Sequence, residues 1–213
     1  TPTLGAGGLA SVDGPLPNDT ITYSYDELNR PIRRAINGVG VKMAFDEAGR
    51  LAGITNALGA FAYGYDGSTP RLLSKSLPNG QTEERSYGNN VQDRTLQRIT
   101  HAAGAAQVSE FLYGHDVTRG RITSWSQQAG AQSPNLFTFG YDSVNQLLSA
   151  TVTNAGNLIN TFAYTYDPAA NRLTEQIGVS NYVATYNGLN EIRSTTAPGI
   201  TRTNEWDAED RLV

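Results

Sequence analysis

The chain has 213 residues, of which 16 are basic and 20 acidic, for a net charge of −4, and it contains no cysteine. This length suffices for one large all-β domain or two smaller ones, and the balanced charge argues against binding to nucleic acid or anionic lipid. The lack of cysteine excludes disulfides and thiolate zinc sites, and no apolar run approaches the roughly 20 residues of a membrane span.

The two ends of the sequence differ from its middle. The first ten residues, "TPTLGAGGLA", are rich in Gly, and we interpret residues 1–8 as a linker or the remnant of a preceding repeat. "LASVD" (9–13) resembles the second strand of a hairpin whose first strand is missing, and "DRLV" (210–213) stops where a strand begins. We therefore expect a piece cut from a longer series, with residues 9–213 forming a single array of about nine hairpins.

Between these ends, an aromatic residue recurs just ahead of an Asp or its equivalent, at steps of 20 to 28 residues. Each of the 11 tyrosines either is one of these landmark aromatics or lies two or four positions before one. Such a period indicates a repeat architecture. The landmark aromatics are Tyr25, Phe45, Tyr65, Tyr87, Tyr113, Tyr141, Tyr166, Tyr186 and Trp206.

After the landmark the pattern continues as Asp, two to four turn-forming residues, Arg and an aliphatic residue, as in "YDELNR", "FDEAGRL" and "YDPAANRL". Two copies, Asp142 with Gln146 and Asn187 with Glu191, lack the charged pair, and the copy after Tyr87 has Gly88 in place of Asp. The predicted pairs are Asp26 with Arg30, Asp46 with Arg50, Asp66 with Arg71, Asp116 with Arg121, Asp167 with Arg172, and Asp207 with Arg211.

A second turn signal lies about half-way through each step, for example "NGVG" (37–40) and "NAGN" (154–157). Asn and Gly supply the positive φ that tight hairpin turns require. In "TITYSYD", residues alternate between apolar and small polar, which is the period of a strand. Each repeat is therefore predicted to be a β-hairpin, and the fold an all-β, repetitive antiparallel strip that curves or coils because a twisted sheet this wide must curl.

This pattern gives each motif residue a structural role. The landmark aromatic places a large apolar surface on one face of the sheet, where the aliphatic residue after the turn covers it. Asp accepts hydrogen bonds from backbone N–H groups of its own turn. Arg pairs with that Asp or with a neighbouring repeat.

The series of Tyr-Asp motifs resembles the RHS/YD-repeat family over residues 9–213. The family includes bacterial polymorphic toxins, shell-forming subunits of insecticidal toxin complexes, and animal teneurins. The resemblance implies hairpins wound into a hollow shell around a C-terminal toxin segment, and a secreted or cell-surface location. The self-cleaving Asp-Pro-x-Gly-Leu stretch of the family's toxins is not matched, because the one Asp-Pro here, Asp167-Pro168, precedes Ala169-Ala170.

Chemical sites find little support in the sequence. Close acids such as "DEL" and "DAED" suit a paired-carboxylate hydrolase, but they recur with the turns, whereas catalytic residues are singular. His101 and His115, interpreted as loop residues, are the only histidines, and no Ser is tied to a His by any motif. We predict no catalytic, cofactor-binding or metal residue. Trp125, in "TSWSQQ", is interpreted as packing on a strand neighbour, with sugar binding as the alternative.

The sequence thus predicts a non-enzymatic structural segment of a large RHS/YD-repeat protein, part of an encapsulating β-shell. Its partners are then the remaining repeats of the parent chain and an encapsulated C-terminal toxin segment. The alternative is a cell-surface module that binds carbohydrate or protein through the sheet face or the longer loops between residues 88 and 135.

Overall fold

The computed structural model describes residues 7–213, and these residues form β-strands joined by short turns. They contain eighteen strands and one turn of 3-10 helix at Asn90–Gln92, so the predicted all-β strip of antiparallel hairpins is confirmed. Residues 1–6 of the predicted linker lie outside the described residues. The strands are β1 Ser11–Val12, β2 Ile21–Tyr25, β3 Pro31–Ile36, β4 Val39–Phe45, β5 Leu51–Asn56, β6 Gly59–Tyr65, β7 Leu72–Ser76, β8 Gln81–Tyr87, β9 Leu96–Ala103, β10 Ala106–His115, β11 Ile122–Ala129, β12 Asn135–Tyr141, β13 Leu147–Asn154, β14 Asn157–Tyr166, β15 Arg172–Ile177, β16 Ser180–Tyr186, β17 Ile192–Ala197 and β18 Ile200–Thr203.

The described chain divides into two compact units. The N-terminal unit comprises residues 7–86 and 98–109, and the C-terminal unit comprises residues 87–97 and 110–213. That residues 9–213 form a single array stays a prediction.

In the N-terminal unit each strand from β1 to β7 pairs antiparallel with the next strand in sequence. The connection between β3 and β4 shows why the hairpins are so tight. Its two residues, Asn37 and Gly38, have φ of 50° and 82°, which is the left-handed pair that a two-residue hairpin turn requires. Ile36 therefore pairs directly with Val39.

The C-terminal unit has the same construction, with each strand from β11 to β17 paired antiparallel with the next. The two residues between β13 and β14, Ala155 and Gly156, again have positive φ, of 48° and 81°. The second turn signal of the repeat thus marks one end of each hairpin, and the Asp motif marks the other.

A shift of register lies just before the landmark aromatic in six repeats, three in each unit. In the repeat of Phe45, for example, Ala44 pairs with Gly53 but Phe45 pairs with Leu51, so that Ala52 is left outside the ladder. Such a bulge bends the strand and redirects the following side chain. The landmarks that follow a shift are Tyr25, Phe45, Tyr65, Tyr141, Tyr166 and Tyr186.

Few apolar side chains are enclosed in either unit. Only Ala35, Ala150 and Val152 are buried hydrophobic residues within the described chain, and most landmark aromatics are half-buried. The strands therefore bury side chains mainly against their neighbours within a sheet, and contacts along the strip have an unusually large share in stability.

Candidate functional site: the aspartate turn and its contacts with the next repeat

The Asp of the motif organises its turn through both carboxylate oxygens. In the turn of Asp46, the backbone N–H of Asp46 donates to the Arg50 carbonyl at 2.8 Å, and the Gly49 N–H donates to the Asp46 carbonyl at 2.9 Å. The Oδ1 atom of Asp46 accepts the backbone N–H of Arg50 at 2.8 Å, while Oδ2 accepts the Arg50 Nε–H at 2.7 Å. One carboxylate thus satisfies the turn backbone and fixes the guanidinium.

Three further turns repeat this ion pair. Oδ2 of the motif Asp lies 2.6 Å from Arg30 Nε in the turn of Asp26, 2.8 Å from Arg121 Nη2 in the turn of Asp116, and 2.8 Å from Arg211 Nε in the turn of Asp207. The turn of Asp116 is one residue longer than the others, and the Gly120 N–H closes it onto the Asp116 carbonyl at 2.7 Å.

The predicted pair Asp167 with Arg172 differs in the structure. Oδ2 of Asp167 accepts from Asn171 Nδ2 at 2.9 Å. This turn is closed by the Asp167 N–H on the Asn171 carbonyl, as that of Asp116 is on the Arg121 carbonyl, so Asn171 holds the place of the paired residue. Arg172 instead lies 3.3 Å from Glu175 Oε2 and stacks over the Tyr164 ring, 5.7 Å from its centroid.

Two turns without the charged pair keep the Asp geometry with other groups. Oδ1 of Asp142 accepts the backbone N–H of Gln146 at 2.8 Å. Asn187 uses its amide in the same way, accepting the Glu191 N–H at 3.1 Å and donating from Nδ2 to the Glu191 carboxylate. The acceptor oxygen is therefore what every such turn needs, and the charge is an addition.

Two predicted motif positions show other arrangements. The turn after Tyr65 is closed by the Asp66 N–H donating to the Arg71 carbonyl at 2.9 Å, while the Arg71 N–H donates to Thr69 Oγ1 at 3.3 Å. After Tyr87, the Gly88 N–H donates to the Thr95 carbonyl at 2.9 Å. This bond closes the base of the loop formed by the inserted residues between Gly88 and Thr95.

The residue three places after the Asp has a left-handed backbone in six turns, with φ between 57° and 79°. Only Gly, and to a lesser degree Asn and Asp, adopts this conformation at little cost. The motif therefore selects small residues just before the Arg position. The six residues are Asn29, Gly49, Asn145, Ala170, Asn190 and Asp210.

The landmark aromatic ties its repeat to the preceding one. The Tyr65 hydroxyl donates to the Leu51 carbonyl at 2.8 Å, and the Tyr166 hydroxyl donates to the Leu147 carbonyl at 2.9 Å. In each case the acceptor is the first residue of the strand that follows the preceding Asp turn. The same contact is made by Tyr141, Tyr186 and, through its indole N–H, Trp206. The Tyr25 hydroxyl donates instead to the carbonyl of Leu9, which lies ahead of β1. The sequence did not reveal these bonds, although the preference for Tyr over Phe at the landmark was a signal of them.

The motif Arg ties its repeat to the following one. The Arg50 guanidinium, already paired with Asp46, lies 4.5 Å from the centroid of the Tyr65 ring and donates from Nη1 to the Gly67 carbonyl at 2.8 Å. Arg121 likewise stacks over Tyr141 at 4.9 Å and donates to the Asp142 carbonyl at 3.2 Å. Arg30 stacks over Phe45 at 4.5 Å. A planar group with several donors is needed for these simultaneous contacts.

These bonds shift the acidity of the turn carboxyls. The hydrogen bond from the Arg50 side chain lowers the pKa of Asp46, and that from the Arg121 side chain lowers the pKa of Asp116. The Asn171 amide does the same for the pKa of Asp167, and the Arg211 backbone N–H for the pKa of Asp207. For Asp26, desolvation alone would raise the pKa, but the bonds from Arg30 outweigh it. The folded state therefore favours the ionised turns.

Trp125 lies in the C-terminal unit within an aromatic row across three strands. Its ring is 4.7 Å from that of Phe137 and 6.3 Å from that of Phe111, and both pairs are stacked. Trp125 thus packs on strand neighbours, and its indole N–H is buried without a hydrogen-bond partner among the described residues. The row is the cross-strand aromatic contact that stabilises sheets.

The histidines do not lie in loops, and that interpretation was wrong: His101 belongs to β9 and His115 to β10. His101 Nδ1 is 2.9 Å from Ser109 Oγ, a contact that the sequence could not show. Its Nε2 is 3.8 Å from Glu83 Oε2, which is longer than a hydrogen bond. The Glu83 carboxylate is paired within its own strand with Arg85 Nη2 at 2.6 Å, and it lies 3.9 Å from Lys75 Nζ on β7.

Within residues 7–213, no three His, Asp or Glu side chains lie close enough together to hold a metal ion. The same residues include no helix with the length and apolar character needed to cross a membrane.

No protein-family model matches this chain, and no curated protein matches it. Among solved structures, it is similar to a mutant form of a Photorhabdus luminescens Tc holotoxin pore, with a TM-score of 0.64 and 18% identity over 91% of this chain. A crystal structure of TcdB2-TccC3 aligns over 93% of the chain with 17% identity and a TM-score of 0.48.

The chain spans 12% of the length of each of these two proteins. At such identities the likeness concerns the fold, and only the first structure is similar enough to carry that conclusion. The structural neighbour is thus part of a toxin complex, which agrees at the level of fold with the predicted resemblance to toxin-complex subunits.

Proposed function

We propose that the chain is a non-enzymatic structural segment of a large RHS/YD-repeat protein, in which it forms part of the wall of an encapsulating β-shell. The observation that carries this proposal is the chain of contacts from one repeat to the next. The Arg50 guanidinium bonds its own turn and the following one, and the Tyr65 hydroxyl bonds the preceding strand. The motif residues thus hold neighbouring hairpins together through hydrogen bonds.

The motif acids support a structural and not a catalytic role. In the turns of Asp46 and Asp116, each carboxylate is committed to backbone N–H groups and to an Arg side chain. Their pKa values are lowered, whereas a general acid at neutral pH requires a raised pKa. The arrangement also recurs along the chain, whereas an active site is assembled once.

The exposure of the sheet faces supports a wall within a larger protein. Apart from three small or medium side chains, the apolar residues of the described chain are incompletely buried, and a sheet with such faces gains stability when further structure covers them. The structural likeness to a Tc holotoxin pore supports the same context. In this proposal the partners are the remaining repeats of the parent and an encapsulated C-terminal toxin segment, and the parent is secreted or at the cell surface.

Electron cryomicroscopy of the whole protein that carries these residues tests the proposal. We expect the eighteen strands to continue into further hairpins on either side and to form one portion of a wall around an internal cavity. A map in which this segment stands apart as a separate module, with both faces of its strands in bulk solvent, would contradict the proposal.

A further inference from the structure

The C-terminal unit contains a cleft of about 410 Å³ at the place where the repeat is most irregular. One wall is the insertion after Tyr87, including Gln92 and Asp93, and the other is the end of β10 with the turn of Asp116. Its volume lies in the range of small-molecule sites, roughly 300–1,000 Å³. The cleft lies where the chain departs from the repeat, which is where a site particular to this protein is expected.

The conformation of the inserted loop is fixed by its own hydrogen bonds. The Asn89 side chain accepts the Gln92 N–H at 3.1 Å while the Gln92 side chain accepts the Asn89 N–H at 3.1 Å, forming a capping box around the 3-10 turn. Gly88 stands where other repeats have Asp, and a Cβ there would lie 2.7 Å from the Cβ of Gln92. The backbone of Asp93 then turns left-handed, with φ of 51°. This geometry fixes one wall of the cleft.

Four polar side chains that line the cleft make no hydrogen bond or ion pair with any described residue. They are the hydroxyl of Tyr113, the imidazole of His115, the amide of Gln97 and the carboxylate of Asp93. Tyr113 is informative because the landmark tyrosines Tyr65 and Tyr141 bond the preceding strand through their hydroxyls. At Tyr113 this bond is not made, and its hydroxyl is left for another partner.

The charges of the cleft narrow the class of ligand. The Asp116 carboxylate is paired with Arg121 at 2.8 Å, and Arg119 donates to the Ser143 carbonyl at 2.9 Å. The Asp93 carboxylate makes no ion pair with the described residues, and Arg119, which lines the same cleft, bonds only neutral oxygens. These two opposite charges offset each other, which favours a neutral ligand. What the lining offers is a carboxylate and an amide oxygen as acceptors, amide, imidazole and hydroxyl donors, and the apolar face of one aromatic ring.

We propose that this cleft binds a neutral carbohydrate of one or two pyranose rings. Asp93 and Gln97 bond adjacent sugar hydroxyls, and His115 and the Tyr113 hydroxyl each bond a further one. The Tyr113 ring supplies an apolar surface against which the sugar lies. The proposal is independent of the shell assignment, because it rests on residues that the repeat does not use for fastening hairpins.

The test is ligand-observed saturation-transfer NMR on the intact chain, with methyl glycosides of glucose, galactose, mannose and N-acetylglucosamine and with maltose, cellobiose and lactose as probes. We expect at least one probe to bind with a Kd on the order of 1 mM, as the size of such ligands implies. Asp93→Asn, which suits the left-handed backbone, and Tyr113→Phe, which retains the ring, should each weaken binding about tenfold or more through one lost polar contact.

Matched controls separate the cleft from the rest of the surface. Asp210→Asn replaces another carboxylate at a left-handed position, φ 57°, and Tyr182→Phe removes another half-exposed hydroxyl; both should leave binding unchanged. Melting temperatures of all four variants check that the fold is kept. The proposal is overturned if no probe shows binding at a sugar concentration of about 20 mM, well above the expected Kd of ~1 mM. It is also overturned if the cleft variants and their controls affect binding equally.

Discussion

The side chain of Arg50 contacts two successive repeats at once. Its guanidinium contacts Asp46 in its own turn, the Tyr65 ring, and the Gly67 carbonyl in the next turn. A single ion pair at a surface contributes little, about 0–1 kcal/mol. Three contacts made by one planar group fix the distance and angle between two hairpins, which an ammonium on a flexible stem cannot do.

Arg50→Lys should therefore lower the free energy of unfolding by about 1–2 kcal/mol, although the charge is conserved. Urea unfolding followed by circular dichroism measures this. Arg202→Lys is the control, since Arg202 makes no side-chain bond within residues 7–213, and it should change stability by less than about 0.5 kcal/mol. Equal effects of the two substitutions would show that the inter-repeat contacts of Arg50 do not matter.

Ala170 has a backbone conformation that is unfavourable for alanine. It has φ of 68° in the position that Asn29 and Asn190 occupy in other turns. An L-residue with a Cβ is disfavoured there by about 1–2 kcal/mol, and Asn less so. Ala170→Asn should raise stability by about 0.5–1 kcal/mol, seen as a higher melting temperature. Ala169→Asn, one residue earlier in the same turn, should not, and a gain from both would point to some other cause.

The acid turns predict how stability depends on pH. Because the pKa of Asp46 is lowered from 3.8 in the folded state by its bond from Arg50, the unfolded chain binds more protons below that pH. The contribution is thus fully present above about pH 4 and is lost as the pH falls through the lower, folded value. Thermal melts between pH 6 and pH 2 should show falling stability below about pH 4.

Asp46→Asn isolates this effect, because Asn187 shows that an amide can accept the same backbone N–H. The variant should be less stable than the wild type at neutral pH, and the difference should shrink as the pH falls below about 4. A constant difference at every pH would contradict an ionised Asp46 that is stabilised by folding.

At the scale of the hairpin, the register shift and the aromatic bond belong together. The shift places Tyr166 opposite Arg172 and leaves Leu173 outside the ladder. Tyr166 then reaches back to the Leu147 carbonyl at the preceding Asp turn. Each hairpin is thus held to its predecessor at its bulged end, where the ladder is locally interrupted.

Tyr166→Phe removes this bond but keeps the ring, and it should cost about 1 kcal/mol. Tyr166→Ala should cost more, about 3 kcal/mol, because the packed ring is lost as well. Tyr182→Phe, which removes a hydroxyl that makes no bond to the described residues, is the control for the first substitution and should be silent in urea unfolding. If Tyr166→Phe were equally silent, the hydroxyl would have no fastening role.

At the scale of the whole molecule, the period of the sequence predicted the strands well, because turn residues and alternating side chains are local signals. It did not predict the register shifts, which depend on how two strands meet, or the bonds from Tyr65 and Arg50 to other repeats. The bond between Asn171 and Asp167 has the same origin: whether Asn171 or Arg172 reaches the carboxylate is decided by the turn geometry, and the motif letters alone favour Arg.

The cleft beside Tyr113 lay beyond sequence reasoning for a related reason. The insertion after Tyr87 was recognisable as a degenerate repeat, but the capping box of Asn89 and Gln92 and its position against His115 follow from the folded backbone. A repeat pattern predicts the features that recur along the chain, whereas a cleft that occurs once follows from how the chain folds.

The central claim is that the motif residues stabilise the fold by coupling one repeat to the next, and a double-mutant cycle between Arg50 and Tyr65 tests it most directly. Unfolding free energies of Arg50→Met, Tyr65→Leu and the double variant should give a coupling of about 0.5–1 kcal/mol, from the stacked guanidinium. The cycle of Arg33→Met, whose guanidinium bonds Gly38, with Tyr65→Leu should be additive. Additivity in the Arg50 cycle, within about 0.3 kcal/mol, would contradict the account.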